Sequence, residues 1–251
     1  MKTILISNRK GGVGKSTTAI NLAAFFSKNG YRVLLIDLDT QSHLQFGLGL
    51  KKKFKKGMHK LFIKADLNGV IQKTPFENLF FIPANINFDI SCIISSNDTL
   101  KNVLDMIKIM YEYDLCIIDT PPTSDILLNN ALYASDYVIV PMQTEYLGYI
   151  GVMQFLKLFY ETASKINADF NLLGVLPTLY VKPIREHQEI IEKLKDKIGK
   201  KRVFKPIRKD FKLSQSFSAG KPICYFDERC RGAKDYETLF LDVKKRVFKE
   251  D

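Results

Sequence analysis

The sequence predicts an α/β protein: a doubly wound, mostly parallel sheet with helices on both faces. Three observations carry that expectation. Short apolar runs alternate with longer helical patterns along the 251 residues. Several of the runs are apolar throughout, as strands covered on both faces are. The first run leads through a glycine-rich turn into a helix, the unit from which such sheets are built.

The elements follow in order. Strands are expected near 3–7, 33–37, 79–82, 115–119, 137–141, 172–177 and 203–205. Helical patterns lie near 16–29, 98–111, 149–166, 185–198 and 232–248. Right-handed crossovers between successive strands make the sheet parallel, and ligands of such sheets bind outside the strands' carboxyl ends. No internal repeat, linker or second domain is visible, so residues 1–251 are expected to form a single domain.

Composition agrees. A hydrophobic share of 46% is enough for one core and argues against disorder. No run of about 18 apolar residues exists, so no transmembrane helix is expected. The N-terminus enters a strand directly, without the pattern of a signal peptide. Cys92, Cys116, Cys224 and Cys230 show no C-x-x-C spacing and read as reduced structural thiols of a cytoplasmic protein.

The glycine-rich turn is Lys10-Gly11-Gly12-Val13-Gly14-Lys15-Ser16-Thr17. Gly11, Gly12 and Gly14 permit positive φ and close backbone approach, so successive N–H groups can face phosphate oxygens. Lys15 is placed to reach β- and γ-phosphates, and the Ser16 hydroxyl to ligate Mg²⁺. The usual phosphate loop would have a glycine at position 9, where this chain has Arg9, and a second lysine, Lys10, opens the loop. From that position Lys10 can point away from its own nucleotide, toward one bound by a facing subunit.

This loop resembles the deviant Walker A motif of the ParA/MinD family of P-loop ATPases. Two further segments are similar to the family's. Asp37-Leu38-Asp39-Thr40-Gln41 resembles its D-x-D-P-Q segment, and Asp119-Thr120-Pro121-Pro122 its D-x-P-P strand end. The likeness continues through Ala219-Gly220-Lys221-Pro222-Ile223 and Arg231-Gly232-Ala233, and covers the chain apart from about residues 45–75. The short, chromosomal-type ParA partition proteins are the subgroup it resembles most. The resemblance implies an ATP-sandwich homodimer in which Lys10 reaches across the interface. It also implies nonspecific double-stranded DNA as a partner of that dimer, a ParB-like activating protein, and a cytoplasmic, nucleoid-associated location.

The carboxylates divide into three roles. Asp119 ends a buried strand and can hold Mg²⁺ through water. Asp37 and Asp39 end another, and side-chain alternation puts both on one face. The resemblance assigns Asp39 to the attacking water and Asp37 to the metal's outer shell; the alternative for either is a turn cap. Thr40 stands where the family has proline, and Asp125 where it often has glycine. For adenine, Lys205-Pro206-Ile207-Arg208-Lys209-Asp210 corresponds to the family's I-P-R-N segment. Pro206, Arg208 and Asp210 are therefore the candidates, against the alternative of a solvated surface turn.

Charge is the second strong feature. Of the net +11, residues 181–251 carry +8 (20 basic, 12 acidic) and residues 51–64 carry +7, so the rest sums to −4. Such clustering fits a phosphate-backbone partner without base reading. The resemblance places DNA contacts at Arg185 and Lys212. The run Lys51–Lys56 contains a single aromatic, Phe54, too little for a stacking platform.

Three rival readings come from other classes. A MinD-like membrane ATPase needs a terminal amphipathic basic helix; here Leu239, Phe240, Val243 and Val247 fit a core face, so no membrane insertion is expected. An iron–sulfur reductase needs exposed cysteines near a dimer axis. A ParA-like positioner of another cargo would look the same in sequence.

Overall fold

The computed structural model describes residues 1–51, 54, 56–63, 66–85, 96–123, 126–166 and 170–249. Asp125, Cys92 and, within the Lys51–Lys56 run, Lys52, Lys53 and Lys55 lie outside them.

Among the described residues, seven strands form one sheet in the order β3-β4-β2-β5-β1-β6-β7. They are β1 (Lys2–Ile6), β2 (Val33–Asp37), β3 (Gln72–Lys73), β4 (Leu79–Ile82), β5 (Leu115–Asp119), β6 (Tyr137–Gln143) and β7 (Asn171–Thr178). Only the pairing of β3 with β4 is antiparallel among the described residues. The chain leaves β1 toward β2 on one side and crosses from β5 to β6 on the other. That reversal puts a crevice beyond the carboxyl end of β1, as doubly wound folds require.

Helices cover both faces: α1 (Lys15–Lys28), α2 (His43–Gly47), α3 (Met58–Ile63), α4 (Thr99–Met110), α5 (Ile126–Tyr133), α6 (Tyr146–Ile166), α7 (Arg185–Ile198), α8 (Phe211–Ser218), α9 (Ile223–Phe226) and α10 (Arg231–Phe248). The strands' two-residue period divides the core. Leu5, Leu34, Ile36 and Ile118 face α3 to α7, whereas Ile4, Ile6, Leu35 and Ile117 face α1, α2, α9 and α10. In α10, Leu239, Phe240, Val243 and Val247 are all buried in this second core. No helix among the described residues is long and apolar enough to cross a membrane.

One expected strand is corrected. Residues 203–205 make a single bridge, Val203 to Val175, after a 3-10 turn at Lys200–Arg202. Pro206 follows immediately and has no N–H to extend a ladder.

Candidate functional site

The three motif segments meet at the crevice. In register, Ile6 pairs with Asp119, and Asp119 with Asp37, so the ends of β1, β5 and β2 lie side by side. A cavity of about 660 Å³ opens there, of the size that holds a small-molecule ligand. Gly11, Gly12, Gly14, Lys15, Ser16 and Thr17 line one side, with Asp39, Gln41 and His43 beside them. Arg208, Asp210, Leu213 and Phe217 line the other.

The loop's shape rests on two glycines. Gly12 and Gly14 have φ of 74° and 86°, a region that a Cβ disfavours. Gly11, expected to share it, does not adopt a positive φ. Gly14 occupies the position before α1, which has no side-chain cap and no acidic residue in its first turn. The first amides of α1 are therefore free to meet an anion. Two residues that the motif reading missed, Asn8 and Thr178, fasten the loop, and Thr120 of the D-x-P-P segment holds the end of the strand before it. Asn8 accepts a hydrogen bond from the Lys10 amide (3.0 Å) and donates to the Pro141 carbonyl (2.7 Å). The Thr178 hydroxyl, at the end of β7, donates to the Val13 carbonyl (2.9 Å). The Thr120 hydroxyl donates to the Ile6 carbonyl (3.1 Å). Asn8 adjoins the loop and Thr178 ends a strand at the binding edge, which is the signal that could have found them.

Val13 is buried and contributes backbone rather than cavity surface. Lys15 is buried, and its ammonium donates to the Lys10 carbonyl at 3.3 Å, closing the loop on itself. Burial holds its pKa below the ordinary lysine value, opposed by the charges of Asp119 and then Asp39. Lys10 is half-buried at the loop's start and does not line the cavity.

The carboxylates are the most unusual part of the site. Asp119 is buried, and neither of its oxygens accepts a hydrogen bond. Burial pushes its pKa up to about 7; the Ser16 hydroxyl and the Lys15 ammonium pull the other way without closing a bond of normal geometry. Asp37 accepts from the Asp39 amide at 2.9 Å through one oxygen, while the other has no partner. Its pKa is raised well above the carboxylate range, by burial first and then by Asp119. Asp39 lines the cavity and accepts from the Gln41 amide at 3.0 Å. Buried polar atoms without partners are rare. Three orphaned carboxylate oxygens beside a serine hydroxyl fit a hard divalent cation such as Mg²⁺.

On the opposite wall, Arg208 forms a two-pronged ion pair with Asp235 of α10, with Nη2 to Oδ1 at 2.7 Å. One oxygen of Asp210 caps α8 by accepting from the Lys212 amide (3.0 Å), and the other accepts from the Gly232 amide (2.9 Å). Both residues reach the cavity; Pro206 does not line it. Arg185 is exposed at the start of α7 and pairs with Glu189 at 2.8 Å. The Lys212 ammonium lies 3.8 Å from Asp227 and over the Phe226 ring. Tyr180 bridges Arg208 in parallel, so the segments leading into α7 and α8 leave the sheet together. Cys116 and Cys224 are buried and Cys230 half-buried, all as free thiols.

A family model described as an AAA domain matches residues 1–172. The Bacillus subtilis sporulation initiation inhibitor protein Soj is 38% identical over 254 residues, covering 98% of both chains. The Treponema pallidum chromosome-partitioning ATPase Soj is 35% identical over 250 residues, again covering 98% of each. The chain belongs to the ParA/Soj family of partition ATPases. Among solved structures, a putative plasmid partition protein from Borrelia burgdorferi, bound to AMPPNP, is 32% identical with a TM-score of 0.83. That match covers 98% of this chain and 99% of the other. ParA/Soj membership agrees with the site's geometry: a glycine loop and an uncapped helix start on one wall of the cavity, with buried, orphaned carboxylates at the neighbouring strand ends.

Proposed function

We propose that this chain is a Mg²⁺-dependent ATPase that forms an ATP-sandwich homodimer, binds DNA without sequence preference as that dimer, and is released by hydrolysis. Its role is then to segregate chromosome or plasmid DNA with a ParB-like activating partner. The observation that carries the reading is the loop itself: Gly12 and Gly14 at positive φ, a buried Lys15, and a second lysine, Lys10, outside the cavity.

The reaction is ATP plus water to ADP and phosphate, and the protein's part is positioning and charge neutralisation. Loop amides and Lys15 hold the β- and γ-phosphates. Asp39, at the cavity wall, orients the attacking water by accepting its hydrogen bond. The Ser16 hydroxyl would hold Mg²⁺ directly, and Asp119 and Asp37 would hold it through water; the bound ion would supply neutralisation of phosphate charge. Lys10 reaches the nucleotide of the facing subunit and neutralises charge there.

The test separates the two lysines. Lys15→Ala should weaken ATP binding by about a hundredfold or more, because a charge-assisted contact is lost from a partly dry site. Lys10→Ala should keep near-normal nucleotide affinity in the monomer and lose both ATP-dependent dimerisation and turnover. Calorimetry, light scattering and phosphate release read these directly. Unchanged ATP affinity in Lys15→Ala refutes the site, and an intact ATP dimer with full turnover in Lys10→Ala refutes the cross-subunit role.

A further inference from the structure

On the nucleoside side of the cavity, beside Leu213 and Phe217 of α8, lies a short irregular segment, Ile207–Asp210. Its backbone is held on one side by β7 and the residues after it: the Ile207 amide donates to the Pro177 carbonyl (2.8 Å), and the Lys209 amide to the Tyr180 carbonyl (2.9 Å). The Arg208 side chain, which lines the cavity, is held from the other side. There, four contacts converge on the one carboxylate of Asp235. The Arg208 amide donates to Oδ2 at 2.8 Å, Nε lies 3.1 and 3.0 Å from the two oxygens, and Nη2 lies 2.7 Å from Oδ1. The Asp235 side chain is 11% exposed, against 40% for Arg208, so the carboxylate is the fixed member of the pair. It does not itself line the cavity.

Asp235 is fixed because α10 is. The next residue, Tyr236, is buried, and its hydroxyl lies 3.2 Å from that of Thr18 on α1, the helix that begins at the phosphate loop. One turn earlier, the Gly232 amide is bonded to Asp210. The first turns of α10 thus touch the phosphate-side helix and the nucleoside-side wall together. A flexible arginine becomes a defined surface only when its fork is matched by a partner held in place.

We infer that Asp235 is a positioning residue for the nucleoside end of the cavity, setting the Ile207–Asp210 wall through Arg208. The inference rests on the ATP-binding reading above. Asp235 contributes to recognition of the base and ribose, and nothing to recognition of the polyphosphate chain, which the loop and Lys15 hold alone.

Calorimetric titration of the full chain with Mg-ATP and with Mg-tripolyphosphate, which has no nucleoside, tests this. Asp235→Ala should bind ATP about tenfold more weakly, the effect of losing a charged hydrogen-bonded support, with tripolyphosphate affinity unchanged. Asp235→Glu, which keeps the carboxylate, should recover part of the loss. Arg208→Ala should show the same selective loss, and Asp235→Ala added to it should change nothing further. If Asp235→Ala does not fold, Asp235→Asn carries the comparison, with a smaller loss on ATP alone. Wild-type ATP affinity in the variants overturns the inference, as does an equal loss for both ligands, which would mean general loosening. Failure of wild type to bind ATP at all is a separate outcome and removes the parent reading.

Discussion

Asp119 is a carboxylate placed where water does not reach it and left without a hydrogen-bond partner. On the proposed reading, such a group is tolerated because its use comes when a cation binds. The same arrangement has a consequence for the empty chain. A carboxyl whose folded pKa is raised, here from 3.8 to about 7, binds its proton more tightly when folded than when unfolded. Its stabilising contribution is complete below the unfolded value and is lost as pH rises through the folded one. The nucleotide-free chain should therefore lose stability as pH climbs from about 4 to about 7. Asp119→Asn removes this charge and relieves Asp37, whose own pKa Asp119 helps to raise. The melting temperature of the variant, relative to wild type, should rise by several degrees across that window. A constant difference at all pH values would show that folding does not raise the Asp119 pKa. Added Mg-ATP should reverse the order, stabilising wild type more than the variant.

At the scale of elements, β1, β2 and β5 were legible because residues buried on both faces leave uninterrupted apolar runs, and α7 because its buried Ile190, Ile191 and Leu194 recur at helical spacing. The phosphate loop was legible because its chemistry leaves few residue choices. Other elements carried no such signal. α5, ILLNNALY, is too uniformly apolar to show a face, and α8, FKLSQSFS, has one buried residue, Ser216. The expected strand at 203–205 was a real apolar patch stopped by Pro206. Arg208 was named from the resemblance, but its partner Asp235 was illegible for another reason: the two lie 27 residues apart, and only packing joins them. So too with α2 and α8, which meet through glycine. A Cβ on Gly49 would stand 2.8 Å from the Gly220 carbonyl oxygen, and both glycines have positive φ, 70° and 64°. Because the obstructing atom is backbone, Gly49→Ala should destabilise the chain by about 2 kcal/mol or more. Gly151→Ala, in α6 with open space around it, should stabilise by up to ~1 kcal/mol. Urea denaturation of the two variants measures this contrast, and equal effects would mean the crossing is loose.

Over the whole molecule, charge separates from the site. The crevice holds buried carboxylates, while the positive excess of +8 lies in residues 181–251. Arg185 and Lys212 lie in the first turns of α7 and α8, whose leading segments are joined by the bridge between Tyr180 and Arg208. Each has an acidic neighbour, the exposed Glu189 or the half-buried Asp227, and pairs that reach solvent in this way hold their charges only weakly. Phosphate can therefore displace either acid at little cost. Dimerisation would set two copies of this surface against one DNA segment, doubling the local charge without any base contact. Affinity should be low without ATP, higher with it, and the same for unrelated sequences. It should fall steeply with salt, with a slope of about −0.9 per phosphate contact. Arg185→Glu and Lys212→Glu should each weaken binding and flatten that slope while leaving ATP-dependent dimerisation intact. Lys197→Glu and Lys249→Glu, exposed elsewhere on the basic region, should do much less. Fluorescence anisotropy with two unrelated duplexes across a salt series measures all of this. Equal losses from all four changes would mean diffuse charge with no defined site, and absence of ATP-dependent binding at low salt would remove DNA as the partner.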